Sequence, residues 1–546
     1  MRMVLALLLV SSLYGGSPMR SGEKVVRWKE GKLSLKVSRA VHLEEAETGV
    51  DRRETAASVH GVVMEAVRAW GETGRAEVRL EAELTDETKV ESETAGNLVT
   101  FTDPAPFDSG QCSKDRNIAC TVLSFDQETG EIQRVYIAFN PYLRHSSMGL
   151  KGTHDLALVI LHEVGHALGL DHSALLDSIM AASVELAAED VGSEFGLRRI
   201  SNDDALTLGA LYPIDEGNEP TLGRIEGEVK RRDVPLAGAH VMALDRRGRP
   251  MHSAVTRADG RYALLLPAGE YRLAAEPLDG PSLAVHMASP PEMPVVFQTV
   301  FWNTAGGHVS DAVGVSVEAG QTRQGIDFWI PRGPAANLDT IGLVEGGRYV
   351  GRPRAYLARG REYTLGITRS PPEGLPAVRV WNEPVVADGE PNYPSSAPQL
   401  VRQKVQVPEG ARVGSYVVQY SSDGVGALLP GALTIVPNPH LSEIRDAVTG
   451  VPETSFRAKQ MISITGWDLA AATAASQPWE EGGSRPTQLG GASVRIGDRW
   501  ARLFAVTPEE IVAIIPDGLE GESAELRVVT GTGVESAPVE IRLAVQ

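Results

Sequence analysis

The spacing of apolar and polar positions changes period several times along the first two hundred residues. Leu33, Leu35 and Val37 alternate with Lys32, Ser34 and Lys36, so a strand is expected within residues 25–41. Val59, Val62, Val63, Ala66, Val67 and Trp70 then recur at helical spacing, and Gly71 and Gly74 end that run. Further strands are expected at 76–84, 98–102, 119–125 and 132–139, with Gly130 turning the chain between the last two. The stretch 156–161 is apolar on every side, the pattern of a helix buried all round, and Thr153 or Asp155 can cap it. A last helix, capped within Ser201-Asn202-Asp203-Asp204, runs to Leu211-Tyr212-Pro213. These strands and three helices make a complete α+β unit.

Beyond Pro213 the helical period is lost. Residues 215–220 read as a polar linker, and Ile225, Val229, Val241, Tyr262, Leu264, Leu266, Tyr271 and Leu273 alternate with polar or small residues in short strands. Ala258-Asp259-Gly260 and Pro267-Ala268-Gly269 supply turns. Strand-like, Pro- and Gly-punctuated sequence continues through 335–437 and 438–546. The expected architecture is therefore multidomain: an α+β domain over 24–213, then two to three β-sandwich domains over 221–331, 335–437 and 438–546. A length of 546 residues exceeds one hydrophobic core and agrees with that division.

The candidate chemistry lies in His162-Glu163-Val164-Gly165-His166-Ala167-Leu168-Gly169-Leu170-Asp171-His172. Histidines four apart share one face of a helix, so His162 and His166 can reach a single metal ion. Gly169 offers a position of positive φ where the helix can stop and the chain reverse, which brings His172 back as a third nitrogen ligand. Three protein ligands leave a fourth tetrahedral position open, the arrangement of a catalytic zinc rather than a structural one. Glu163 falls beside the metal rather than on it. The alternative is a surface helix that carries two histidines by chance, but the glycine and third histidine at fixed offsets make that reading far rarer.

Composition changes this picture in two respects. With 52 basic and 71 acidic residues the net charge is −19, which argues against nucleic acid and anionic membrane surfaces as partners. The chain also opens Met1-Arg2-Met3 and continues through about ten apolar residues into Gly15, Gly16 and Ser17. That is the form of a secretory signal over roughly residues 1–17, too short to span a bilayer; a buried N-terminal strand is the alternative. No later run is long and apolar enough to cross a membrane, so a secreted, periplasmic or cell-surface protein is expected. Export frames Cys112 and Cys120, for which a disulfide is the default in an oxidising compartment. Free thiols, or a thiolate on the zinc, are the alternatives.

With these residues in view, residues 24–213 resemble a matrixin-type metzincin zinc endopeptidase, which implies an α+β fold of a twisted mixed sheet plus three helices. The resemblance rests on 162–172, on Ser178-Ile179-Met180, on the strand pair around Thr121-Val122-Leu123-Ser124-Phe125-Asp126 and Ile137-Ala138-Phe139-Asn140, and on the Asp203-Asp204 to Tyr212-Pro213 end. It implies that His162, His166 and His172 bind one catalytic Zn2+, that Glu163 is the general base, and that Met180 forms the hydrophobic floor called the Met-turn. It further implies that the strand 119–125 is the sheet edge along which a substrate peptide lies. Ala181 stands where relatives carry tyrosine or proline, so one transition-state stabiliser of some metzincins is missing. No long propeptide fits between the leader and Val25, and there is no cysteine-switch motif. Extra zinc or calcium sites stay open, with His145 and His154 read as surface or helix-start residues. Residues 221–331 resemble the carboxypeptidase-regulatory-like, transthyretin-like sandwich, through Pro235-Leu236-Ala237-Gly238-Ala239 and Ala258-Asp259-Gly260-Arg261-Tyr262. Residues 438–546 resemble an immunoglobulin-like fold of the IPT/TIG type.

These readings converge on an exported zinc metalloendopeptidase acting on protein or peptide substrates, its β modules free to bind a surface, glycan or protein. A cell-surface binding or adhesion protein with a weak or inactive protease domain is the alternative.

Overall fold

The computed structural model describes residues 6–9 and 18–544, apart from 23, 44–47, 53, 90–95, 148–151, 183–197, 215–220, 280–295, 305–308, 333–336, 350, 371–377, 381–384, 393, 423–424, 472, 476–484 and 532–533. The linker expected at 215–220, and the expected leader apart from residues 6–9, lie outside the described residues.

The N-terminal region is built on a six-stranded sheet. In chain order its strands and the helices beside it are β1 (Ala6–Leu9), β2 (Lys32–Ser38), α1 (Ala56–Gly71), β3 (Arg79–Thr85), β4 (Leu98–Thr100), β5 (Ala119–Phe125), β6 (Ile132–Phe139), α2 (Leu156–Ala167) and α3 (Asn202–Leu211). The order across the sheet is β1-β5-β6-β4-β2-β3. The β2–β3, β2–β4 and β4–β6 pairs are parallel, while β5 runs antiparallel to β6. A parallel β2–β3 pair needs a crossover, and α1 provides it. The short segment β1 lies antiparallel on β5, with Ala6 opposite Phe125 and Leu9 opposite Val122.

Local chemistry accounts for the element ends. The Thr55 side chain accepts from Ser58 N and the Ser58 side chain accepts from Thr55 N, a reciprocal cap on α1. Val59, Val63, Ala66, Val67 and Trp70 form its buried stripe. The strand expected over 25–41 is confined to β2, because Gly31 takes φ +62° and reverses the chain just before it. Asp155 is the cap of α2, accepting from Ala157 N and Leu158 N, and Arg198 holds the same carboxylate.

After α3 the described regular elements are strands, apart from one 3-10 turn at Val309–Asp311. Leu222–Arg231 and Arg261–Pro267 lie in one sheet, and Ala239–Leu244, Pro250–Val255 and Gly269–Pro277 in another. Ile225, Val241, Leu264 and Leu273 from both sheets share one core, so this is a sandwich. The turns at 258–260 and around Ala268 carry the chain from one sheet to the other. A second sandwich spans 337–436, with its own core around Leu365, Val405, Tyr416 and Leu433. A third follows around Phe456, Ile464, Val494 and Leu526. Among the described residues no helix is long and apolar enough to cross a membrane.

Candidate metal centre

The expected motif folds as local rules require. Helix α2 ends at Ala167 with Leu168 as its C-cap, and Gly169 enters the left-handed region at φ +92°. Leu170 N then donates to Gly165 O (3.0 Å) and Gly169 N to His166 O (2.9 Å). This pair of bonds is a Schellman cap. A side chain at 169 has no room, since a Cβ there would sit 2.3 Å from Val26 O.

The reversal brings three imidazoles together. His166 Nε2 lies 3.2 Å and His162 Nε2 3.3 Å from His172 Nε2. Among the described residues this is the one group of three or more potential metal ligands with all donor atoms within 4.8 Å of one another. The other ring nitrogens are fixed by the backbone: His162 Nδ1 lies 2.7 Å from Ile179 O and His166 Nδ1 2.9 Å from Leu170 O. A carbonyl oxygen only accepts, so both Nδ1 atoms carry the proton and both Nε2 lone pairs point at the shared centre. Zinc–nitrogen bonds of about 2.0–2.1 Å in a tetrahedron put neighbouring nitrogens roughly 3.3 Å apart. The donor set fits zinc in number, chemistry and spacing.

Glu163 is buried on the same helix, and its Oε2 accepts from the Thr121 hydroxyl at 2.5 Å. Burial pushes its carboxyl up to about 7, and the Thr121 hydrogen bond pulls the other way. Burial holds the His162 and His166 imidazoles below their ordinary range, which keeps them neutral, as a metal ligand must be.

Met180 lies under the helix, fully buried. A Cβ on Gly165 would be 2.4 Å from Met180 Sδ and 2.8 Å from Trp70 Cζ2. Gly165 therefore lets the methionine and Trp70 pack directly against the helix backbone. Trp70 also donates from Nε1 to Leu161 O at 2.8 Å, tying α1 to α2. Cys112 and Cys120 form a disulfide at the start of β5, with Cα atoms 6.2 Å apart.

One expectation needs correction. His145 and His154 are not surface residues. They face each other across a small parallel sheet pair, are 1% and 6% exposed, and burial depresses each to about 4. His154 does sit at a helix start, one residue before the α2 cap. His145 is enclosed because the chain after β6 folds back under α2, and local pattern does not encode that.

Sequence reasoning also missed three side chains. Thr121 reads as an ordinary strand residue, yet it faces α2 and holds Glu163. Asp204, read as part of a cap, accepts from Ser201 N (2.8 Å), Ile179 N (2.9 Å) and Ser178 Oγ (2.5 Å), and so clamps the Met180 turn. Asp203 accepts from Ser173 Oγ at 2.7 Å, just past His172. Two adjacent aspartates entering an apolar helix were the available signal, since a cap needs only one.

Residues 41–213 match the matrixin family model. This supports a matrixin-type, zinc-dependent protease domain in that part of the chain. The match covers less than half of the protein. No curated protein matches the chain. Among solved structures, γ-CGTase from alkalophilic Bacillus clarkii is 14% identical over 34% of this chain and 23% of its own, with a TM-score of 0.14. The surface protein SGBP-B of the Bacteroides ovatus mixed-linkage glucan utilization locus is 13% identical over 61% and 69%, with a TM-score of 0.16. BcpA, the major pilin subunit of Bacillus cereus, is 10% identical over 59% and 95%, with a TM-score of 0.13. The chain spans less than a quarter of the first of these, and at such TM-scores none of them bears on its function.

Proposed function

We propose that the protein is an exported zinc-dependent endopeptidase that hydrolyses internal peptide bonds. The observation that supports this best is the convergence of the His162, His166 and His172 Nε2 atoms beside a buried Glu163. When bound there, zinc supplies a Lewis acid that polarises a carbonyl and acidifies water.

The chain's own residues carry the remaining steps. Glu163 Oε2 takes a proton from the attacking water and returns it to the leaving amine. Burial raises this carboxyl above the ordinary carboxylate range, which eases the return of the proton. Strand β5 lies on the helix α2 side of the site, and Thr121 on it touches Glu163. A substrate backbone added antiparallel to β5 would therefore run past the base. Segment β1 takes such a course along β5.

The test is Glu163→Gln in the full chain. It is expected to retain one zinc per chain by elemental analysis after dialysis and to lose casein cleavage by at least a thousandfold. A variant that digests casein at the wild-type rate refutes the assignment. If wild-type protein holds zinc tightly and cleaves no protein or peptide, the alternative of a surface-binding protein with an inactive protease domain is the better reading.

A further inference from the structure

The turn that follows the third histidine is not held by the N-terminal region alone. Ser173 N donates to Met180 O at 2.8 Å and closes the turn internally. Its outer side is buried in the two sandwiches that follow. Leu175 belongs to an apolar cluster with Met242 and Phe301 of the first sandwich and Val417 and Leu428 of the second. Leu176 enters the core of the second sandwich, 3% exposed, and its N–H donates to Pro430 O at 2.8 Å.

Asp177 is met by Gly431, where φ is +79° and a Cβ would come within 2.5 Å of Asp177 Oδ1 and 2.8 Å of Asp177 N. Asp203 completes the arrangement. Its Oδ2 accepts from Ser173 Oγ (2.7 Å), while its Oδ1 accepts from Ser253 N (2.7 Å) on the Pro250–Val255 strand. A peptide of nine residues containing one ligand and the Met180 floor is thus bonded to the backbone at 430, closely approached by Gly431, and tied through Asp203 to the backbone of Ser253.

We propose that the first two sandwiches complete the metal centre, acting as a brace that holds the turn between His172 and Met180 in the position from which His172 can ligate. This rests on the zinc reading above. One leucine buried in another unit's core and one buried between the two sandwiches, together with a carboxylate shared between units, cannot move independently of those units. A displacement of the brace is therefore a displacement of His172. Asp203 is a positioning residue in this scheme: it touches neither metal nor substrate and acts through Ser173. Partners of metal ligands at one remove typically affect metal affinity by about 10–100-fold.

The experiment uses the full chain and four variants. Gly431→Ala pushes a methyl group onto the Asp177 backbone, and Asp203→Ala removes the shared carboxylate. Asp203→Asn keeps an oxygen for Ser253 N and an amide for Ser173 Oγ. Gly410→Ala, in the same sandwich with open space around it, is the control. Zinc affinity is read by competition with a chromophoric chelator, coordination by the visible spectrum of the cobalt-substituted protein, and turnover by kcat and KM on a peptide.

Gly431→Ala and Asp203→Ala are expected to weaken zinc roughly 10–100-fold, to change the cobalt spectrum, and to lower kcat with KM little altered. Asp203→Asn recovers most of the affinity, and Gly410→Ala matches wild type. Gly431→Ala with wild-type affinity and spectrum overturns the brace. If Gly431→Ala does not fold, the Asp203 pair decides: equal affinities for Asp203→Ala and wild type overturn it. A wild-type chain that binds no zinc stoichiometrically overturns the zinc reading itself, a result distinct from either.

Discussion

Replacing Gly169 with alanine tests the local geometry of the metal centre more sharply than replacing a ligand. The residue sits at φ +92°, where a Cβ costs about 1–2 kcal/mol. The added carbon would lie 2.3 Å from Val26 O and 3.3 Å from Val26 C. Both are backbone atoms, so no side chain can swing aside, and a forced shift of packed backbone costs a further ~1–3 kcal/mol. The sum is roughly 2–5 kcal/mol. The chain has several separate cores, so more than one melting transition is expected, and calorimetry should follow the one that rises when zinc is added. For a domain of this size the expected fall is roughly 4–20 °C. Zinc affinity should fall as well, because Leu170 O fixes His166 and the same turn delivers His172. Gly61→Ala is the contrast: it lies within α1 with nothing near its Cβ, and it should stabilise by up to ~1 kcal/mol. If the two variants melt together, the steric argument at Gly169 is wrong.

Two further outcomes follow from the buried titratable groups. Thr121→Val removes a donor that favours the ionised form of Glu163, so the carboxyl rises and the acidic limb of kcat/KM moves to higher pH, whereas Thr121→Ser leaves the limb in place. An unmoved limb in Thr121→Val would show that the hydroxyl does not act on the base. His145 ionises near 4 in the folded chain because burial opposes its charge, against about 6.5 when unfolded. Its contribution to stability is complete above 6.5 and is lost as the pH falls toward 4, amounting to roughly 3 kcal/mol. Melting curves from pH 7 to 4.5 should therefore be shallower for His145→Gln than for wild type, and parallel curves would contradict a neutral His145.

What could be read from the sequence was local. Four-residue spacing fixed two ligands on one helical face, and a glycine with left-handed freedom fixed the return of the third. The α1 stripe was legible for the same reason, since period and burial coincide from Val59 to Trp70. Contacts between distant positions were not legible. Thr121 lies 42 residues from the carboxylate it holds, and in a strand of sequence ACTVLSF nothing separates a threonine that serves a site from one that simply favours extended backbone. His145 was misread because burial by a chain that folds back leaves no periodic trace. Leu175 and Leu176 were no more legible: nothing local says that one enters the core of the second sandwich and the other a cluster between the two sandwiches.

The proton count at the site shows why these imidazoles belong with a cation. His162 and His166 spend their ring protons on Ile179 O and Leu170 O, so each presents a bare lone pair at Nε2. His172 can carry at most one proton at its own Nε2 while neutral, and that proton can satisfy one of two neighbours lying 3.2 and 3.3 Å away. Among three neutral rings in direct contact at least one acceptor therefore lacks a donor, at a cost of about 1–3 kcal/mol. Protonating a second ring is opposed by burial, which already depresses His162 and His166. A divalent ion with tetrahedral preference meets all three lone pairs at once and needs no proton. The carbonyls that orient the rings thus also leave lone pairs at the centre that a metal ion satisfies together.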